Sequence, residues 1–203
     1  IQNPVATMQE HTDKVRCMEY SAATNQLLSL GSDATLRQWN LGDQGSSLSS
    51  IRVEELEDAT DLVAMGLSDE YHLVAVGASE GTTLYDLRQE DALVKHIPSL
   101  DRDCGVRCLT FNRSLLTSGG GGGSVGFWDL RSSKLRKCPD GKNFMQCSTS
   151  DMRGNTMEFW IQQDIEPPQA AYTIQYDQYN SKMFVGGGPL MTGLAGCYAS
   201  IWG

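Results

Sequence analysis

A chain of 203 residues with 40% apolar and 20% charged residues has the make-up of a globular protein. No stretch approaches the ~18 apolar residues of a membrane-spanning helix, which excludes that role. The net charge of −9 argues against nonspecific nucleic-acid binding, because that binding needs Lys and Arg to replace counterions.

His11 stands shortly before the first apolar run, residues 15–20, which reads as an inner strand. Residues 26–30 and 35–39 follow as strands, with Asp33 in the tight turn between them. The second set is 62–67, 72–76 and 82–85, and the third is 106–111, 115–117 and 125–128. The last set is 172–176, 182–185 and 198–202. Each run alternates or stays apolar over four to six residues, as half-buried and buried strands do. Residues 50–53 and 92–97 are candidate outer strands, and the acidic stretch 54–58 reads as a solvated connector. Periodicity is weakest over 132–169, which reads as an inserted loop with a turn at 138–142 and one short helix around 154–163.

Four times a small-residue turn leads into a short strand that ends on an aromatic residue: Trp39, Tyr85, Trp128 and Trp202. Asn40, Asp86 and Asp129 follow the first three, at spacings of 46 and 43 residues. A period in the forties with a Trp-Asp ending resembles the WD40 repeat, in which each unit is one four-stranded propeller blade. The expected fold is therefore all-β, with repeats at about 1–41, 42–88, 89–131 and 132–203. Four repeats are too few for a seven- or eight-bladed ring, so an arc of blades is expected. The start at Ile1, without an initiator Met or a signal-peptide pattern, reads as a fragment of a longer chain. In WD40 repeats a His, a Ser or Thr, an Asp and a Trp form a hydrogen-bonded chain within the blade. The resemblance gives His11, Asp33, Trp39 and Trp128 such structural roles.

Signals for chemistry are weak. Ser79 and Ser124 each sit in a G-x-S-x-G match, but a nucleophile elbow lies between a strand and a helix, and both matches lie between strands. The glycine runs 119–123 and 186–188 lack the Lys-Ser/Thr and helix of a phosphate cradle, and read as tight turns needing positive φ. His11, His72 and His96 have no ligand spacing and no cysteine pair beside them, so no metal and no cofactor is assigned. The six cysteines contain no C-x-x-C, and Cys17 and Cys108 fall at equivalent apolar positions, which points to a reducing, intracellular compartment (cytoplasm or nucleus). No catalytic residue is assigned.

The positive signals are basic residues. Trp128-Asp129-Leu130-Arg131 is a W-D-x-R box and Tyr85-Asp86-Leu87-Arg88 is its tyrosine variant, whereas the first repeat ends Trp39-Asn40-Leu41-Gly42. An Arg just past the third strand projects at the rim, where it can grip a carboxylate or carbonyl. Val15-Arg16-Cys17 recurs as Val106-Arg107-Cys108. Lys14, Arg16 and Arg107 thus flank the starts of equivalent inner strands, and on an acidic chain they would focus positive potential at one mouth of the channel. The alternative is that Arg16 and Arg107 alternate outward into solvent.

The boxes resemble those of WD40 substrate receptors of cullin-4 ubiquitin ligases, where two adjacent boxes dock on the triple-propeller adaptor. Residues 182–190, then Gly193, Leu194, Gly196, Tyr198, Ala199 and Trp202, are similar to the C-terminal end of the factor-twelve type of these receptors, as is Gly105-Val106-Arg107. The likeness covers most of 11–203, corresponding to the C-terminal half of such a receptor. It implies a subunit that holds a substrate while a partner enzyme transfers ubiquitin, with Arg88 and Arg131 toward the adaptor. It also implies substrates whose C-terminal tails are acidic, with tail carboxylates meeting Lys14, Arg16 and Arg107. A general WD40 scaffold with another partner is the alternative.

Overall fold

The computed structural model describes residues 6–42, 45–53, 64–89, 92–101, 104–147, 153–154, 169–190 and 194–203. Short apolar alternation punctuated by turn residues yields antiparallel strands, and no helix occurs among the described residues. The first sheet is β1 (Val15–Ser21), β2 (Gln26–Gly31), β3 (Thr35–Asn40) and β4 (Ser46–Arg52), paired in that order. The second is β5 (Ala64–Ser68), β6 (Leu73–Gly77), β7 (Gly81–Asp86) and β8 (Leu93–Pro98), again in chain order. Of the predicted second inner strand, positions 62 and 63 lie outside the described residues, as does the acidic stretch 54–58.

The third sheet is built on β9 (Val106–Asn112), β10 (Leu115–Gly120) and β11 (Ser124–Asp129). Its outer edge is split. β12 (Lys134–Leu135) pairs with Trp128 and Asp129, while β13 (Phe144–Gln146) pairs with Ser124 to Gly126. The stretch read from the sequence as an inserted loop therefore starts as the outer edge of this sheet, interrupted by the turn in which Cys138 N–H donates to Lys142 O. β14 (Arg153–Gly154) pairs with β17 (Leu194–Ala195), so Gly154 is in a strand; the rest of the helix expected at 154–163 lies outside the described residues. The fourth sheet has three strands, β15 (Gln169–Tyr176), β16 (Met183–Pro189) and β18 (Tyr198–Trp202).

The sheets stack through their first strands: β1 packs on β5, β5 on β9, and β9 on β15. Close approach depends on missing side chains. A Cβ on Gly66 would sit 3.3 Å from Leu109 O, and one on Gly119 would meet Cys108 Sγ at 2.6 Å and Ala171 Cβ at 2.9 Å. Between the sheets lie three apolar cores, represented by Leu28, Leu30, Val74 and Val76, then Leu84, Val106 and Leu116, then Val125, Ile174 and Val185. Each such side chain contributes about 1.5–3 kcal/mol by burial. These are the stacked sheets of an all-β propeller.

The first hairpin of each of the four larger sheets uses one left-handed residue near its second strand: Asn25 (φ 54°), His72 (φ 53°), Arg113 (φ 51°) and Asn180 (φ 56°). Asn and His tolerate this region better than most, which gives His72 a conformational role. The glycine runs match the sequence expectation only in part: residues 121–123 form the turn between β10 and β11, while 119–120 and 186–188 lie in strands. Of residues 119–123 only Gly123 has positive φ (85°), and Gly186 to Gly188 lie inside β16 with none. These glycines make space: a Cβ on Gly120 would strike Asp101 Oδ2, and one on Gly187 would strike Ala170 O.

Candidate functional site

Two polar networks fix the loops that lead into first strands. In the first sheet His11 Nδ1 lies 3.0 Å from both oxygens of Asp33, and its Nε2 is 2.7 Å from Ser29 Oγ. Trp39, 3% exposed, donates its indole N–H to the same Ser29 Oγ at 2.8 Å. A consistent donor chain runs from Trp39 through Ser29 to His11 and on to Asp33, with the Nδ1 proton facing the carboxylate. Burial works to raise the Asp33 pKa, but hydrogen bonds from the Thr35 hydroxyl, the Thr12 N–H and His11 outweigh it and hold the carboxyl at about 2.

In the third sheet the acid has moved. The turn position of Asp33 is Gly122, and Asp101 on the incoming loop takes the place that His11 holds. Its carboxylate accepts from Gly122 N–H (2.8 Å), Ser124 N–H (3.2 Å) and Ser124 Oγ. Trp128 is in no such chain among the described contacts; it packs between the second and third sheets with Lys95 Nζ 4.6 Å above its ring.

The basic pair at the strand starts shares a backbone device. Val15 pairs with Gly31 and Cys17 with Leu30, so Arg16 is the extra residue of a β-bulge. Val106 pairs with Gly120 and Cys108 with Gly119, which makes Arg107 the extra residue in β9. The second sheet has no shift there, since Ala64 pairs with Gly77 and Met65 with Val76. Bulges re-aim side chains, and here they take both arginines out of the strict in-and-out alternation. Arg16 is exposed and Arg107 half-buried, its Nε–H donating to Cys104 O at 3.3 Å. The two occupy one register on β1 and β9, with β5 between them. Lys14 is exposed just before β1, its N–H donating to Asp13 and its carbonyl accepting from Ser32.

Arg88 and Arg131 lie on the opposite face. Third strands end beside the starts of second strands, as in Asp86 with Leu73 and Asp129 with Leu115, whereas Arg16 and Arg107 lie near second-strand ends. Arg88 makes a two-point contact with Asp86, Nε at 2.9 Å and Nη2 at 2.6 Å, yet its side chain is 60% exposed. That contact holds the buried Asp86 carboxyl at about 2. Arg131 is exposed and reaches across to Tyr71 of the neighbouring sheet, Nε to hydroxyl 3.4 Å. Its backbone N–H donates to Asp129, so both boxes close an Asp-to-Arg turn but aim their guanidinium groups differently.

Neither G-x-S-x-G serine has nucleophile geometry. Ser124 Oγ is buried on Asp101, and Ser79 sits in the bend between β6 and β7. Burial pushes the Cys108 thiol up to about 12, the state of an inert core cysteine.

The comparisons with known proteins agree with this frame. Striatin of Homo sapiens is 32% identical over 101 residues, which is 48% of this chain and 13% of that protein. Striatin of Mus musculus is 30% identical over the same shares. The chain thus spans about an eighth of the length of these relatives, and the likeness is one of WD40 repeats. The family described as DDB1- and CUL4-associated factor 12 beta propeller matches residues 1–203, every residue of the sequence. The chain belongs to that β-propeller family.

Proposed function

We propose that this chain is the substrate-reading propeller of a cullin-4 ubiquitin ligase, binding proteins with acidic C-terminal tails and docking to the ligase adaptor. The observation that carries the reading is the pair of bulged arginines, Arg16 and Arg107, on equivalent first strands of a chain whose net charge is −9. A carboxylate entering there gains charge-assisted hydrogen bonds, and the acidic remainder of the surface repels it from other places. Lys14 adds a third cation beside β1. Arg88 and Arg131 supply the adaptor contact on the other face, so substrate and adaptor do not compete. No residue performs chemistry in this reading; the receptor holds its substrate in an intracellular compartment while a partner enzyme transfers ubiquitin.

Family membership supports the ligase link, and the exposed guanidinium groups support the docking face. The rival reading is a WD40 scaffold outside ubiquitylation, favoured by the pairing of Arg88 with its own Asp86. Co-purification separates the two. Full-length protein is expected to bring down the cullin-4 adaptor, and replacing both Arg88 and Arg131 with Ala should cost ~1–3 kcal/mol per guanidinium in adaptor affinity. Unchanged adaptor binding by the double variant would remove these residues from the interface. Absence of adaptor with wild-type protein would favour the scaffold.

A further inference from the structure

A third first strand carries the same bulge. In β15, Ala171 pairs with Gly187 and Thr173 with Gly186, so Tyr172 is the extra residue, at the register occupied by Arg16 in β1 and Arg107 in β9. The side-chain course is shared too. Arg107 Nε–H donates to Cys104 O, three residues back and before its strand begins. Tyr172 Oη–H donates at 3.2 Å to Pro189 O, and Pro189 pairs with Gln169, again three residues back. Both side chains therefore fold toward the face where first strands start. β9 packs directly on β15, which makes Arg107 and Tyr172 neighbours in the row of first strands.

From this geometry we infer that Tyr172 is a specificity-determining residue of the tail site, reading an apolar side chain that precedes the acidic end. This rests on the tail-reading function proposed above. With its hydroxyl donating to Pro189 O, what Tyr172 presents to a ligand is its ring, and the residue is 45% exposed. An aromatic ring beside a cation suits a segment in which an apolar residue adjoins a carboxylate. The Arg grips the charge, and the ring covers the apolar neighbour at small entropic cost because Tyr has only two rotatable side-chain bonds. The second sheet, unbulged, offers no equivalent side chain at this register, so specificity beyond charge comes from blade four.

The test is a binding titration of full-length protein with synthetic peptides ending Leu-Glu-Glu or Gly-Glu-Glu, and each sequence C-terminally amidated. Wild type is expected to prefer Leu over Gly at the third-last position by about tenfold, the effect of an aromatic anchor. Tyr172→Ala should erase that preference while retaining the preference for free acidic ends and its salt dependence. Tyr172→Phe should keep both, and Tyr172→Thr, a β-branched substitute that keeps strand propensity, should behave as Tyr172→Ala does. Wild type indifferent to Leu against Gly, or Tyr172→Ala and Tyr172→Thr retaining the preference, would overturn the inference and leave charge reading intact. Wild type indifferent to the acidic end itself would overturn the function on which it rests.

Discussion

Asp33 offers the sharpest stability test of the first blade. Its carboxylate accepts from Thr12 N–H at 2.9 Å, from Thr35 N–H at 3.2 Å and from the Thr35 hydroxyl at 2.7 Å, and faces His11 Nδ1 at 3.0 Å. Holding the carboxyl at about 2, against an ordinary 3.8, corresponds to roughly 2 kcal/mol of native-state stabilisation. The sign follows from the lowered value: the contribution is complete above pH 4 and disappears as pH falls through 2. Asp33→Asn is isosteric, removes the charge and places an amide where an acceptor is needed. It should lose about 2–3 kcal/mol at pH 7, and the deficit should shrink as wild type is acidified from pH 4 toward pH 2. Urea unfolding read by intrinsic fluorescence suits the purpose, because Trp39, one of four tryptophans, is buried in the same network. A variant within 0.5 kcal/mol of wild type at pH 7, or a deficit that stays constant on acidification, would refute the reasoning.

Arg88→Ala removes the main cause of the low Asp86 pKa, so the Asp86 carboxyl should titrate nearer 4 than 2, and NMR titration of that side chain reads it directly. Gly120→Ala drives a Cβ onto Asp101 Oδ2, a carboxylate held by Gly122 N–H, Ser124 N–H and Ser124 Oγ, and should cost about 3 kcal/mol in thermal unfolding. Gly141→Ala meets nothing within 4 Å and should cost only the ~1–2 kcal/mol of its positive φ, 82°. Equal losses for the two glycine variants would mean that the Asp101 pocket is not tightly packed.

Much of the blade pattern was legible because apolar alternation survives in single strands of five to seven residues. The tripeptide Val15-Arg16-Cys17 and its recurrence at 106–108 pointed to equivalent arginines. That a bulge displays them was not legible, since a bulge is a property of pairing between two strands. For the same reason Tyr172 escaped notice: no side chain resembles Arg16 at that position, and only the register of β15 against β16 reveals the equivalence. The split edge of the third sheet was missed because strands of two and three residues carry no period. Asp101 was missed because its acid arrives from the loop before β9, whereas the repeat pattern led to the turn after β10. The glycine runs suggested turns, which holds at 121–123, and most of those glycines serve besides as clearance for a neighbour's oxygen, sulfur or ring.

In the proposed function, positive charge at the first-strand bulges chooses the tail, and a charge swap tests that most directly. Isothermal titration of full-length protein against peptides ending Glu-Glu and Lys-Lys should show wild type binding the acidic tail and losing affinity as salt is raised, since exposed charges are screened over about 8 Å at physiological ionic strength. Arg107→Glu combined with Arg16→Glu should invert the order, so that the Lys-Lys tail binds better. If the doubly reversed protein still prefers Glu-Glu with wild-type affinity, the bulged arginines do not read the tail.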